Sequence, residues 1–523
     1  MTKIVSLTRK TAARAKPARP LWSASLATAL ACAFMALAGS ARTAIAVGVS
    51  EDRGKEANAA AFFATLHDLG LTQNRVSLIW NPAQPTVIPE KAKIQQWLPL
   101  AQAAGVKIVF AVASKNARDF SSASGAATQF AAFLQNVAHA FPQVKDYVIG
   151  NEPNQPYFWL PQYDSDGRPL SAAEYEPVLA QSYDALKAVD PTINVIGVGL
   201  SPRGNDNPNA KSNVSRSPVR FIHDLGVAYR ASHRTKPLMD ELAFHPYPAH
   251  NTDLPQTGYA WPNAGLPNLN RIKQAAWDAF NGTAQATFKE TGKTPFSPPL
   301  TFDLDEVGWQ VAPLPALAGL YTGTENVPTI DEATQATYYA ESIQSAECDP
   351  TVASLSFFLL TDEPELKGWQ SGLQRVNGTQ RPSYDAVKQT IHDSGGTCKS
   401  GLLTAWKHTG AVLYPLVTWS NLRKARPARN TKWAFKAGAQ EEALFRAAVF
   451  TATTKKAQIL KVLGRGQPKA LLVARGTIKA KTRVVILPHR RLKAGRYVFA
   501  IRMAATMNPK RTTLVVSRPF RVR

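Results

Sequence analysis

Residues 107–112 (KIVFAV) and 146–150 (DYVIG), with the Ala-rich stretch 125–140 (GAATQFAAFLQNVAHA) between them, decide the fold. The two flanking runs are β-branched and apolar without strict alternation, the pattern of parallel strands buried on both faces. In the stretch between them apolar residues return every three or four positions, the period of a helix laid against such a sheet.

Outward from this unit the same order repeats. Strand-like runs fall at Thr43–Val49, Arg75–Ile79, Lys107–Val112, Asp146–Gly150, Ile193–Val198, Glu241–Phe244, Leu300–Leu304 and Ala353–Leu360. Helix-like stretches follow each of them, at 55–69, 89–104, 125–140, 171–189, 218–231, 269–291, 331–346 and 383–391. Eight strand–helix units predict a (β/α)8 TIM barrel over residues 47–400. A doubly wound open sheet is the alternative, but it would carry a Gly-rich phosphate loop after an early strand, and none is present. In a barrel, the loops after the strands form the face where chemistry resides, so residues 199–217 and 246–268, rich in Pro, Asn and Gly, are placed there.

The chain is 523 residues long with a net charge of +24, and the charge is unevenly spread. Residues 1–46 carry +7, residues 47–400 carry −8 and residues 401–523 carry +25. The N-terminal charge precedes a small apolar run, Leu21 to Ala38, and then Gly39-Ser40-Ala41, so residues 1–46 read as a signal peptide cleaved between Ala38 and Ala46. Export would place the protein outside the cell, with no transmembrane span after cleavage. It would also leave two cysteines, Cys348 and Cys398, as one expected disulfide. Nothing in the sequence has metal-ligand spacing, and no cofactor is expected.

After Cys398 the texture changes. Residues 401–430 read as a basic linker, and residues 431–523 show short strand-like runs separated by turns, the pattern of an immunoglobulin-like β-sandwich. The charge of this module would favour an anionic cell-wall polymer or exopolysaccharide. Nucleic acid is disfavoured by export and by the lack of any recognition motif.

Two strand ends carry the candidate chemistry. The fourth strand-like run ends in Val148-Ile149-Gly150-Asn151-Glu152-Pro153-Asn154, and the seventh in Leu304-Asp305-Glu306-Val307-Gly308-Trp309. The sixth ends in Phe244-His245-Pro246-Tyr247, and the second begins at Arg75. Over about residues 44–395 the chain resembles the retaining glycoside hydrolases of clan A, in particular families 39 and 5. Asn-Glu-Pro is that clan's acid/base motif, and a hydrophobic-x-Glu-x-Gly run its nucleophile motif. The resemblance implies Glu152 as acid/base and Glu306 as nucleophile. It also implies that Arg75 keeps Glu306 ionised, that His245 and Tyr247 orient it, and that Asn151 holds the sugar 2-hydroxyl. Chemistry asks for the same two roles, because a glycosidic bond needs a proton donor for the leaving oxygen and a carboxylate facing the anomeric carbon.

Asp303 and Asp305 are rival nucleophiles, and strand alternation counted from Phe302 sets Glu306 on the opposite face from both. Trp80, Trp159, Trp261, Trp309 and Trp369 are candidate sugar platforms, with Tyr157, Phe158 and Tyr259 beside them. Trp159 and Trp261 sit in polar, Pro-rich loops, which favours exposure. The expected function is a secreted retaining O-glycosidase acting on a polysaccharide or oligosaccharide. The alternative is a catalytically silent carbohydrate-binding barrel serving as a matrix or adhesion protein.

Overall fold

The computed structural model describes residues 44–122, 125–294 and 298–408, and beyond them 417–420, 435–439, 443–465, 472–478, 483–486, 493–505, 512–517 and 519–522. Eight strands, β1 (Ala46–Ser50), β2 (Gln73–Trp80), β3 (Lys107–Ser114), β4 (Asp146–Ile149), β5 (Asn194–Leu200), β6 (Glu241–Phe244), β7 (Thr301–Val307) and β8 (Val352–Phe358), close into one parallel barrel in sequence order. The barrel is sealed by β1 on β8, in register from Ala46 against Ser354 to Ser50 against Phe358. The principal helices are α1 (Ala59–Leu69), α2 (Lys91–Ala103), α3 (Ala126–Ala140), α4 (Ser171–Val189), α5 (Pro218–Ala231), α6 (Leu269–Phe280), α7 (Glu332–Glu347) and α8 (Pro382–Ser394). Helix α6 stops well short of the expected 291, because Asn281-Gly282 follows and Gly282 takes φ 76°, a left-handed stop that glycine adopts without a Cβ clash.

Alternation along the strands separates two cores. On β3, Ile108, Phe110 and Val112 face the helices, while Val109 and Ala111 turn inward to meet Val148, Ile196 and Ala243. That side of the barrel interior is small and apolar. The opposite side is polar: Gln73 donates to Asp303 at 3.4 Å and to Ser356 at 3.5 Å, and Ser354 donates to Asp303. Burial, followed by the neighbouring Asp305 charge, pushes Asp303 up to about 6. These polar side chains of β7, β8 and β2 lie beneath the mouth where Arg75 and Asp305 sit.

Cys348 and Cys398 are joined as a disulfide, tying the end of α7 to the segment after α8. Closing such a loop stabilises by roughly 2–4 kcal/mol. The stretch read as a linker from 401 begins as part of the barrel. Trp406 is buried in its core, Thr291 N–H donates to the Trp406 carbonyl at 2.8 Å, and the His408 ring stacks on Trp277 at 3.9 Å. Within the same stretch Val417–Ser420 is a strand, β9. Of the segment read as a signal peptide, residues 1–43 lie outside the described residues, while Ala44–Ala46 belong to the barrel, with Ile45 N–H donating to Gly396.

The C-terminal module is antiparallel. Strand β9 pairs with β10 (Phe435–Ala439), which pairs with β13 (Arg483–Ile486). A second sheet has the order β12 (Leu472–Ile478), β11 (Ala443–Thr451), β14 (Gly495–Ala505), β15 (Thr512–Val516), with β16 (Phe520–Val522) also on β14. The sequence reading expected strands alone, but a helix, α9 (Lys456–Arg465), lies between β11 and β12. Its Ile459 and Leu463, four residues apart, pack on Ala448, Phe450, Val498 and Ala500. The apolar run Ile459-Leu460 and Val462-Leu463 reads as readily as a short strand as a turn of helix. Among the described residues no helix is long and apolar enough to cross a membrane, and no cluster of metal-ligating side chains is found.

Candidate active site

The β4 end places Glu152 by a strained turn. Gly150 takes φ 83° and Glu152 φ 37°, a left-handed conformation that a residue with a Cβ adopts only when its surroundings impose it. Here they do. Gly150 N–H donates to Val112, Glu152 N–H donates to Gly199 at 2.8 Å, and the buried Tyr175 hydroxyl donates to Ile149 at 2.6 Å. Asn154, fully buried, clamps this loop to the next: its amide donates to Ser201 and Arg216, and its oxygen accepts from Ser201 N–H at 3.0 Å. Sequence reasoning gave Asn154 no role; its place directly after Glu-Pro was the available signal.

Glu306 reaches the mouth by a route the alternation argument had reversed. Plain alternation turns Phe302 and Leu304 toward the helices and Asp303 and Asp305 inward, so Glu306 would point away from the interior. The register against β8 shifts between Leu304 and Val307, and this bulge turns two successive residues, Asp305 and Glu306, to the same side. Glu306 and Asp305 are therefore neighbours in one cluster rather than occupants of opposite faces.

The cluster is tightly connected. Arg75 reaches Glu306 Oε1 with Nη1 and Asp305 Oδ2 with Nε, both at 2.8 Å. The same guanidinium donates to Asn151 Oδ1 at 2.7 Å and to Ser50 Oγ at 3.0 Å. His245 Nδ1 donates to Glu152 Oε1 at 2.9 Å and lies 3.5 Å from Glu306 Oε2, while its Nε2 lies 3.3 Å from Asp305 Oδ1. Tyr247 donates its hydroxyl to Glu306 Oε2 at 3.1 Å. The residues named at three strand ends and on β2 are thus brought together. His245 contacts Glu152 more closely than Glu306, and Asn151 gives its oxygen to Arg75, which leaves its amide N–H groups for a ligand.

Both ring nitrogens of His245 face carboxylates, so only the doubly protonated ring gives each one a donor. Burial works against that charge, but Glu306 and Asp305 outweigh it and hold the imidazole protonated well above the ordinary histidine value. Burial lifts the Glu306 carboxyl above its usual value, against the pull of His245 and Arg75. Asp305 is held below the usual range, because His245 and Arg75 overcome its burial. Burial and then the Glu306 charge push the Tyr247 phenol well up, so it stays a neutral donor.

The cluster floors a cleft of about 830 Å³. Of the five tryptophans expected as platforms, only Trp369 lines it, packed on Tyr247 with ring centres 4.9 Å apart. Trp80 is buried between Phe120 and Phe130, and Trp159 is stacked on Phe120 with its N–H donating to Glu174. Trp261 lies buried under Arg220, and Trp309 packs on Tyr338 with its N–H donating to Asp253. For Trp159 and Trp309 a partner for the indole N–H makes burial favourable. Tyr157 and Phe158 do line the cleft, Tyr157 at 82% exposure. Tyr259 instead ties down the loop after β6, donating to the Tyr247 and Pro248 carbonyls. Sequence reading passed over Ser50, Glu51, Lys115, Arg203, Phe358 and Glu363, all of which line the cleft. They come from strand ends and loops without a motif, so only their positions at or after strand ends could have suggested them.

No protein-family model matches the chain, and no curated protein is similar enough to match. Among solved structures, a family 39 glycoside hydrolase from the gut symbiont Bacteroides cellulosilyticus WH2 is 14% identical, with 84% of this chain and 80% of that one covered at a TM-score of 0.47. A glucosidase from Croceicoccus marinus is 12% identical, covering 86% and 93% at 0.44. A GH5_18 protein from Streptomyces cattleya, in complex with Manb1-4GlcNAc, is 15% identical, covering 70% and 84% at 0.43. Each of these scores is below 0.5, so the functional reading rests on the geometry of the cleft.

Proposed function

We propose that the protein is an exported glycoside hydrolase that cleaves O-glycosidic bonds with retention of configuration, through Glu306 as nucleophile and Glu152 as acid/base. One observation carries this reading: a single imidazole nitrogen, His245 Nδ1, touches both carboxylates. The gap between those two oxygens is shorter than the two contacts, 2.9 Å and 3.5 Å, laid end to end. Retaining pairs stand about 5–5.5 Å apart, whereas inverting pairs stand about 6.5–9.5 Å apart to admit a water.

The donors divide the labour. Glu306 faces two cations and the Tyr247 hydroxyl, Arg75 and His245 being the cations, a set suited to a carboxylate nucleophile, whereas Glu152 meets His245 and takes the acid/base role. In the first step a Glu306 oxygen attacks the anomeric carbon. The bond to the leaving oxygen breaks, and that oxygen takes the Glu152 proton. In the second step the Glu152 carboxylate removes a proton from water, the hydroxide oxygen bonds to the anomeric carbon, and Glu306 leaves with its electron pair. The Asn151 amide beside this pair suits the hydroxyl next to the anomeric carbon.

The expected result is sugar released with the anomeric configuration of the substrate, followed by proton NMR during the first minutes of hydrolysis of a glycan panel. Inverted product would overturn the mechanism. Binding across the panel without any cleavage would instead favour a silent carbohydrate-binding barrel.

The C-terminal module supports an extracellular polyanion contact. Arg446 stands directly across from Arg475 on one side and Arg502 on the other. Like charges directly opposite are destabilising, and residues 401–523 contain only Glu441 and Glu442 as acids. Arg446 donates to the Gly464 carbonyl at the end of α9. An anionic polymer would relieve the remaining repulsion. For the exported protein we expect an N-terminus between residues 39 and 47 and salt-sensitive retention on anionic cell-wall polymer. Retention that survives deletion of residues 420–523 would sink the assignment to this module.

A further inference from the structure

We infer that the leaving-group side of the cleft takes an acidic sugar, its carboxylate held by Lys115 and Arg203 and its ring face by Tyr157. This deepens the glycosidase reading and rests on it for the direction of the cleft. The proton donor must stand beside the leaving oxygen, and Glu152 follows β4. The loops flanking it, after β3, β4 and β5, therefore form the leaving-group sector. Those loops supply Lys115 and Asn116, Tyr157 and Phe158, and Arg203 to the cleft wall. The opposite sector, after β8 and β1, supplies Trp369, Glu363, Glu51 and Asp52.

The two sectors differ in how their charges are satisfied. On the β8–β1 side every carboxylate is engaged. Glu51 accepts from Arg53, Leu360 and Thr361 N–H groups, Asp52 pairs with Lys55 at 3.3 Å, and Glu363 accepts from Trp369 N–H at 2.7 Å. On the leaving-group side, Lys115 and Arg203 form no ion pair among the described residues. Of the cations that line the cleft, Arg75 is paired with Asp305 and Glu306, whereas these two keep their charge for a ligand. Elsewhere in the barrel Arg216, Arg234, Arg375, Arg381 and the buried Lys273 all find carboxylates.

Arg203 is nevertheless held in place. Its backbone carbonyl accepts from Gln155, and its guanidinium donates to Ala249 at 3.1 Å, leaving further N–H groups for a ligand. Lys115 is fixed through its N–H to the Trp80 carbonyl at 2.9 Å. On the same cleft wall the exposed Tyr157 ring stands edge-on to Phe158. A planar guanidinium fork matches a carboxylate, an ammonium adds a second point of attraction, and an open phenol ring accepts the C–H face of a pyranose.

The test is direct binding, by calorimetry, of oligogalacturonate and oligomannuronate trimers against cellotriose to the full-length protein with Glu306→Gln. We expect the uronates to bind at least tenfold more tightly than cellotriose, with the advantage falling as salt is raised to 0.5 M. The advantage should fall to parity in the Lys115→Ser/Arg203→Ser protein, whose thermal melting confirms that it is folded. Lys115→Glu alone should reverse it. Equal affinity for uronate and neutral trimers in the parent protein, or an advantage unchanged in the double variant, overturns the inference. Because the readout is binding, loss of the uronate preference is distinguishable from failure of the glycosidase reading, which shows as absence of cleavage by the unmodified protein.

Discussion

Glu306→Gln is expected to reduce turnover by at least about 10⁴-fold, a barrier increase of ~5 kcal/mol, because the amide cannot form the covalent intermediate. Glu152→Gln should cost about 10²–10⁴-fold, the usual range for a general acid/base, and less on aryl glycosides whose leaving group needs no proton. Azide separates the two roles chemically. With Glu306→Ala it can enter the vacated space and attack the anomeric carbon, giving a glycosyl azide of inverted configuration. With Glu152→Ala it attacks the intermediate already formed on Glu306, giving a retained azide. Identical azide products from the two variants would mean that the roles are misassigned.

The acid limb of kcat/KM follows from the same residues. Glu306 must be ionised to attack, and burial lifts its carboxyl above the ordinary glutamate value of 4.5. Activity should therefore be lost on acidification at a higher pH than an exposed glutamate would give.

Asp305→Asn should also cost activity, although Asp305 touches no substrate in this scheme. It is a positioning residue, in contact with Arg75 and His245, the two cations that face Glu306. Removing one partner of a buried ion pair costs about 3–5 kcal/mol of stability. Misplacing reacting groups by about 1 Å can cost about 10²-fold in rate. We expect a fall in kcat of that order, with a smaller change in KM.

A loss of stability alone would not move the pH profile. Asp305 is among the charges that raise Glu306, so its neutralisation should carry the acid limb to lower pH. It also helps to hold the proton on His245, so a limb set by that proton should move down as well. The comparison is Asp349→Asn, which breaks the buried pair with Lys273 at the other end of the barrel, at 2.6 Å. That variant should lose stability with its pH profile unchanged. A profile that stays fixed in Asp305→Asn would show that the residue serves the fold alone.

The barrel was legible because its strands are buried on both faces, which leaves short β-branched runs at regular intervals. The placement of Glu152 and His245 was legible because each directly follows such a run. The seventh strand was harder. A period-two reading assumes an unbroken pleat, and the shift between Leu304 and Val307 breaks it where the charges gather. Asp305 consequently read as a rival to Glu306, whereas the structure makes it a partner of the same cations. The tryptophans failed for a different reason: Trp80 and Trp159 carry no sign in their neighbours that Phe120 will meet both of them. Loop composition reports polarity along the chain, whereas burial is decided by contacts distant in sequence.

The bulge in β7 also bears on descent. Substitutions in this strand can be sampled one at a time, since the pleat tolerates a changed side chain. A one-codon deletion between residues 304 and 307 is another matter. Removing the extra residue restores the plain pleat, in which only one of two consecutive side chains can face the cleft. Arg75 and His245 would then share a single carboxylate, and no later point substitution within the strand could supply the missing one. Sequences that diverged from this protein while keeping its chemistry are therefore expected to vary in residue identity along β7 but not in its length.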